Sequence, residues 1–148
     1  MRAVSFFISG RTVRLITVEE MTASDDRKSM KDKLTIIIPH YRDEVRLRRC
    51  LNEIGKQLRS EPSIDVIVVD NGSPEFDPDT FNEEHNWARF FVETERGAAA
   101  ARNRGINEAR TEHLLFVDSD CVPENGWVKA ALQLCGTADI IGGKVDFV

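Results

Sequence analysis

Leu34-Thr35-Ile36-Ile37-Ile38-Pro39 is the stretch that decides the fold. The run is uncharged and apolar on odd and even positions alike, and Pro39 stops it. A strand buried on both faces belongs to a parallel sheet covered by helices. The same alternation continues downstream. Leu47, Cys50, Leu51, Ile54 and Leu58 recur at helical spacing; Arg46, Arg48, Arg49 and Lys56 opposite them read as a solvated face. Ile64 to Val69 is a second buried strand ending at Asp70, and Asn71-Gly72-Ser73-Pro74 is a turn. Asp79 to Trp87 suits a short helix and Arg89-Phe90-Phe91-Val92 a third strand. Gly97 opens an Ala-rich helix through about Ala109. His113 to Val117 is a fourth strand. Pro123 and Glu124 suit the first turn of a helix whose apolar face is Trp127, Val128, Ala131, Leu132 and Cys135. Asp139-Ile140-Ile141 reads as a fifth strand, and Lys144 to Val148 as the next. Strands alternating with helices predict an α/β fold with a mainly parallel sheet.

The 148 residues are enough for one domain with a core. Hydrophobic residues are 41% and charged residues 30%, which excludes a disordered chain. A net charge of −5 with no basic stripe argues against nucleic acid as a partner. Cys50, Cys121 and Cys135 show no CxxC spacing and read as small buried hydrophobes in a reduced, cytoplasmic compartment. Val4 to Ile8 is too short for a signal peptide, and no stretch approaches the ~20 apolar residues of a membrane-spanning helix. Residues 19 to 33 are polar without an apolar period. Residues 1–33 therefore read as an extension or disordered lead-in, with an appended strand or helix as the alternative and Met21 or Met30 as alternative starts. The domain proper is 34–148.

Leu114-Leu115-Phe116-Val117-Asp118-Ser119-Asp120 carries the chemistry. An apolar strand runs out into two carboxylates one residue apart, which share a face and repel unless a cation sits with them. Mg²⁺ and Mn²⁺ favour carboxylate, water and phosphate oxygens, so the pair suits a diphosphate. A capping role is the plain alternative for either Asp. Three strand ends carry such polar residues: Pro39-His40-Tyr41, Asp70-Asn71 and Asp118-Ser119-Asp120. In open α/β sheets ligands bind outside these ends. Asp70 suits either an Asx-turn or an acceptor for a base or ribose. Arg96, Arg102 and Arg104 flank the Ala-rich helix, where an Arg can reach a phosphate or base. His85 and His113 read as structural. GxxxxGK[ST] is absent, and no GxGxxG follows the first strand.

Four motifs in order resemble family 2 glycosyltransferases: Leu34 to Tyr41, Val68 to Ser73, Arg96 to Gly105, and Phe116 to Asp120. The resemblance runs from about Leu34 to Val148. It implies a GT-A fold, a nucleotide-binding α/β/α sandwich, and inverting sugar transfer from a nucleotide diphosphate-sugar donor. It places Pro39, His40 and Tyr41 along the nucleoside, Asp70 on the base and Arg102 in the nucleotide pocket. It places Asp118 at the ribose or the metal's water shell, and Asp120 on Mn²⁺ or Mg²⁺. Asn103 and Gly105 would shape the helix. His40 stands where the family usually has a small residue, and Arg42 where it often has Asn. The family's general base lies further along the chain; Asp139 and Asp146 do not match it.

The expectation is thus a donor-binding half, the sheet incomplete at the C-terminus and the acceptor (glycan, lipid or protein) unassigned. An open edge strand favours self-association, and peripheral attachment at the cytoplasmic membrane face is compatible with such a chain. The alternatives are a truncated, non-catalytic nucleotide-sugar-binding module and, more remotely, a phosphoryl-transfer enzyme, in which Asp-x-Asp normally follows the first strand rather than the fourth.

Overall fold

The computed structural model describes residues 2–4, 12–14, 34–61, 64–138 and 140–146, with side chains described only from 34 to 143. Its strands are β1 (Arg2–Val4), β2 (Thr12–Arg14), β3 (Leu34–His40), β4 (Asp65–Asp70), β5 (Arg89–Val92), β6 (His113–Phe116), β7 (Val122–Pro123) and β8 (Lys144–Asp146). The helices are α1 (Glu44–Leu58), α2 (Pro78–Glu84), α3 (Ala98–Glu108) and α4 (Trp127–Leu134).

The main sheet has the order β1-β6-β3-β4-β5, and every pairing in it is parallel. β3 is central, aligned with β4 from Thr35 opposite Asp65 to His40 opposite Asp70, and with β6 from Leu34 opposite His113. All seven residues of β3 are buried, as its doubly apolar sequence requires. Alternate residues serve opposite faces. Leu34, Ile36 and Ile38 join Val66, Val68 and Leu115 under α1, α2 and α4. On the other face Ile37 packs with Leu114 and Phe116, and Ile67 and Val69 pack with Ala101 of α3. The result is an α/β/α sandwich.

Of the stripe its spacing predicts, α1 buries Leu47, Cys50, Leu51 and Ile54, and Leu58 at its end is partly buried against the same core. The Asp43 carboxylate caps it by accepting from the Arg46 N–H at 3.1 Å. α3 lies close to the sheet because its inner residues are small. A Cβ on buried Gly105 would stand 2.4 Å from the Ile37 Cγ2.

Three sequence expectations change. Pro123 is not in a first helical turn: it pairs in β7 with Val13, and Gly126 at φ 86 interrupts any right-handed helix before Trp127. Ile140 and Ile141 form no strand, and Asp139 lies outside the described residues. The last strand is confined to Lys144–Asp146, antiparallel to β2 in a small sheet of order β7-β2-β8; Phe147 and Val148 lie outside the described residues. The polar lead-in at 19–33, with Met21 and Met30, also lies outside them, as do residues 5 to 8 of the early apolar run.

Candidate functional site

The chain winds from β3 outward to β4 and β5, then returns to β6 on the other side of β3. This reversal leaves a crevice beyond the carboxyl ends of β6 and β3, where open α/β sheets bind ligands. A cleft of about 910 Å³ occupies it. Its walls bring together Pro39, His40 and Tyr41 from the end of β3, Arg102 from α3, and Asp118 and Asp120 beyond β6. These are six of the seven residues singled out from sequence. The seventh, Asp70, sits just behind the wall and is 1% exposed.

Asp70 is spent locally. Its Oδ2 accepts from the Ser73 N–H at 2.7 Å and its Oδ1 from the Ser73 hydroxyl at 2.5 Å. That is an Asx-type turn, the structural alternative for this residue. Ser73 Oγ in turn accepts from the Arg42 N–H at 2.7 Å. The buried acid thus holds the turn after β4 against the turn after β3.

His40 is 2% exposed, and its Nδ1 lies 3.4 Å from the Ser119 Oγ, between the two acids after β6. Its Nε2 is buried without a hydrogen-bond partner, 3.9 Å from Asp70 Oδ1. Burial lowers the His40 pKa below its ordinary value; the Asp70 and Asp43 charges oppose this more weakly. The ring also packs on Phe76, with centroids 5.6 Å apart.

Arg102 donates from Nη2 to Asp118 Oδ1 at 2.7 Å, a half-buried pair across the cleft floor. Arg104 does not reach the cleft; it pairs with Glu108 along the helix. Among the described residues, Asp118 and Asp120 are the only carboxylates lining the cleft. Among the described residues no cluster of three His, Cys, Asp or Glu side chains could hold a metal ion. Two carboxylates do fit a hard cation that completes its shell with water and phosphate oxygens, as Mg²⁺ and Mn²⁺ do. They do not fit a structural zinc site.

Further lining residues include Asn71, already marked by its strand-end position, and several that the sequence did not assign to the site. Asn71 uses its side-chain amide to close the opposite wall, donating to the Glu95 carbonyl at 2.6 Å and accepting from the Gly97 N–H at 2.7 Å. Gly97, at φ 119, starts α3 with no side-chain cap, so the helix opens onto the cleft with its amino end uncovered. Arg42, Gly72, Thr94 and Ala98 also line it. No single spacing rule gathers them, because they come from the turns after β3, β4 and β5 and from the start of α3. His85 and His113 are buried away from the cleft, His85 against Phe81 and Trp87.

Comparison with known proteins bears on the chain as a whole. The sequence model of Glycosyl transferase family 2 matches residues 35–148. Glycosyltransferase AglE of Haloferax volcanii is 32% identical over 120 residues, covering 77% of this chain and 40% of AglE. Glycosyltransferase GlyA of Streptococcus pneumoniae is 36% identical over 101 residues, covering 66% of this chain and 14% of GlyA. Among solved structures, the mannosyltransferase PcManGT of Pyrobaculum calidifontis, in complex with GDP-Man and Mn²⁺, superposes with a TM-score of 0.62 at 25% identity, covering 72% of this chain and 33% of that one. S. aureus TarS 1-349 in complex with UDP-GlcNAc gives 0.57 at 27% identity, covering 69% and 30%. The chain spans less than half the length of each of these relatives.

Proposed function

This chain belongs to glycosyl transferase family 2, and on that premise we propose that it supplies the donor-binding part of a metal-dependent transferase. The donor is a nucleotide diphosphate-sugar. The observation that carries this is the convergence of the ends of β3 and β6 and the open start of α3 on one cleft, with Asp118 and Asp120 at its β6 corner.

Each residue has a role consistent with its place. Asp120, with Asp118, would hold Mn²⁺ or Mg²⁺ at the donor diphosphate; such an ion supplies charge neutralisation for the leaving group. Arg102 keeps the Asp118 carboxylate turned into the cleft and lends a fixed positive charge beside it. Pro39, His40 and Tyr41 would flank the nucleoside. Asp70 would act from behind the wall, shaping the base subsite through Ser73 rather than by a free carboxylate. Among the described residues no other carboxylate lines the cleft, so the groups named here are assigned to donor binding and none of them to deprotonating an acceptor. A non-catalytic nucleotide-sugar-binding module is the second reading, and that same observation favours it. The domain responsible is residues 34–148, acting at the cytoplasmic side; its acceptor is a glycan, lipid or protein.

Titration calorimetry with nucleoside diphosphates and Mn²⁺ tests the donor assignment. Binding is expected, and Asp120→Asn should abolish its dependence on the metal. Folded protein that binds no nucleoside diphosphate, or an Asp120→Asn variant with unchanged metal dependence, refutes it. Sugar transfer by the 148-residue chain alone would refute the binding-module reading.

A further inference from the structure

Arg42 is the only non-glycine residue with positive φ among the described residues, at φ 59. The left-handed region is disfavoured for a side chain of this size, and residues held there concentrate at functional sites. The conformation is not accidental to the turn. The Arg42 N–H is fixed by Ser73 Oγ at 2.7 Å, and Ser73 is fixed by both oxygens of buried Asp70. Ser73 and Asp70, both remote from Arg42 in the chain, therefore hold the Arg42 backbone in place beside the cleft.

The side chain is available once there. Arg42 is exposed, and no carboxylate among the described residues pairs with it; Asp43 next door is taken by Arg46. The guanidinium rests over the exposed Tyr41 ring, 5.0 Å from its centroid. Tyr41 thus supports the planar group from one side and leaves its fork of N–H donors unspent. The location along the cleft is also defined. Arg42 is tied to the loop after β4, whereas Asp118 and Asp120 follow β6, and β3 separates those strands. With the diphosphate at the β6 corner, the nucleobase falls on the β4 side, beside Arg42.

We propose that Arg42 is a specificity-determining residue that reads the nucleobase of the donor and favours guanine. This rests on the donor-site assignment above. Guanine presents two adjacent acceptors, O6 and N7, in the spacing of the guanidinium fork. The two carbonyls of uracil are separated by an N–H, and adenine sets an amino donor beside its N7, so neither offers that paired edge.

Calorimetry with GDP, UDP, ADP and inorganic pyrophosphate, each with Mn²⁺, tests this on the full chain with Arg42→Asn and Arg42→Lys. Asn tolerates the left-handed region, so the first variant is expected to fold; Lys keeps the charge and loses the fork. Wild-type protein is expected to bind GDP roughly tenfold or more tighter than UDP or ADP, the worth of one good bidentate pair. Both variants should lose that preference while binding pyrophosphate as wild type does. Equal wild-type affinities for GDP and UDP, or a preference kept by Arg42→Lys, overturns the proposal. So does an Arg42→Asn variant weakened equally for all four ligands, since the guanidinium would then serve the phosphates. Wild-type protein that binds pyrophosphate but distinguishes no base overturns the Arg42 assignment alone; protein that binds none of the four overturns the donor site itself.

Discussion

Arg102 and Asp118 lie sixteen positions apart and meet at 2.7 Å with only 15% and 20% of their side chains exposed. At that depth, removing one partner leaves the other poorly solvated. Arg102→Ala is therefore expected to destabilise the fold by roughly 1–3 kcal/mol and to weaken nucleoside diphosphate binding in the same preparation. Denaturant unfolding and calorimetry read the two effects separately; unchanged binding would remove Arg102 from the donor site. His40 makes a pH prediction. Burial holds its folded pKa below the ordinary value of 6.5, so the unfolded chain binds more protons just below that pH. Stability from this residue is intact above pH 6.5 and is lost as pH falls through the window beneath it. His85 is shifted the same way, by burial first and by the Arg48 charge second. Wild-type protein compared at about pH 7.5 and about pH 5.5 should lose more stability than His40→Asn does over the same interval. An equal loss in both would show that His40 is not the group responsible. That His40 and Asp118 would stand at strand ends was legible from the sequence, and both line the cleft there. Their partners were not, because neighbours in the sequence say nothing about which side chains meet across a cleft.

At the level of elements, the helices show which contacts local pattern encodes. The stripe from Leu47 through Cys50, Leu51 and Ile54 to Leu58 is a property of spacing, and α1 turns it to the core, with Leu58 only partly buried. The seat of α3 is different. Gly105 is there because the helix approaches Ile37 too closely for a side chain. Gly105→Ala should raise helix propensity, by up to about 1 kcal/mol, yet lower stability by about 1–3 kcal/mol through overpacking. A fall in Tm with unchanged far-ultraviolet circular dichroism is the expected signature; a stabilised variant would mean the sheet yields at Ile37. The start of α4 was misplaced from sequence for a related reason. Pro123 does suit a first turn, but Gly126 at φ 86 forces a break, and the cap comes from another element. The Gln57 side chain on α1 accepts from the Val128 N–H at 3.1 Å and donates to the Glu124 carbonyl at 2.9 Å. A helix capped from a residue 71 positions away leaves no local signal.

For the whole molecule, the cleft exists because the chain reverses beside β3, so the ends of β3 and β6 and the start of α3 face one space. A ligand bound there touches all of them and must stabilise the folded state as a unit. Nucleoside diphosphate with Mn²⁺ at a hundred times its Kd is expected to add about 2.7 kcal/mol, seen as a rise in Tm that Asp120→Asn diminishes. A Tm indifferent to the ligand would argue that these elements do not share one site. The amino-acid sequence by itself determined the α/β class, the central buried strands, the α1 stripe and the motifs of the family. Those are set by periods of two and 3.6 residues and by short local strings, which survive reading one residue after another. Only the tertiary structure decided that Asp70 spends its carboxylate on Ser73, that Arg102 holds Asp118, that Arg42 turns left-handed into the cleft, and that Gln57 caps α4. Each of these depends on the distance between groups remote in the chain, and that distance comes into being only when the sheet and its helices close.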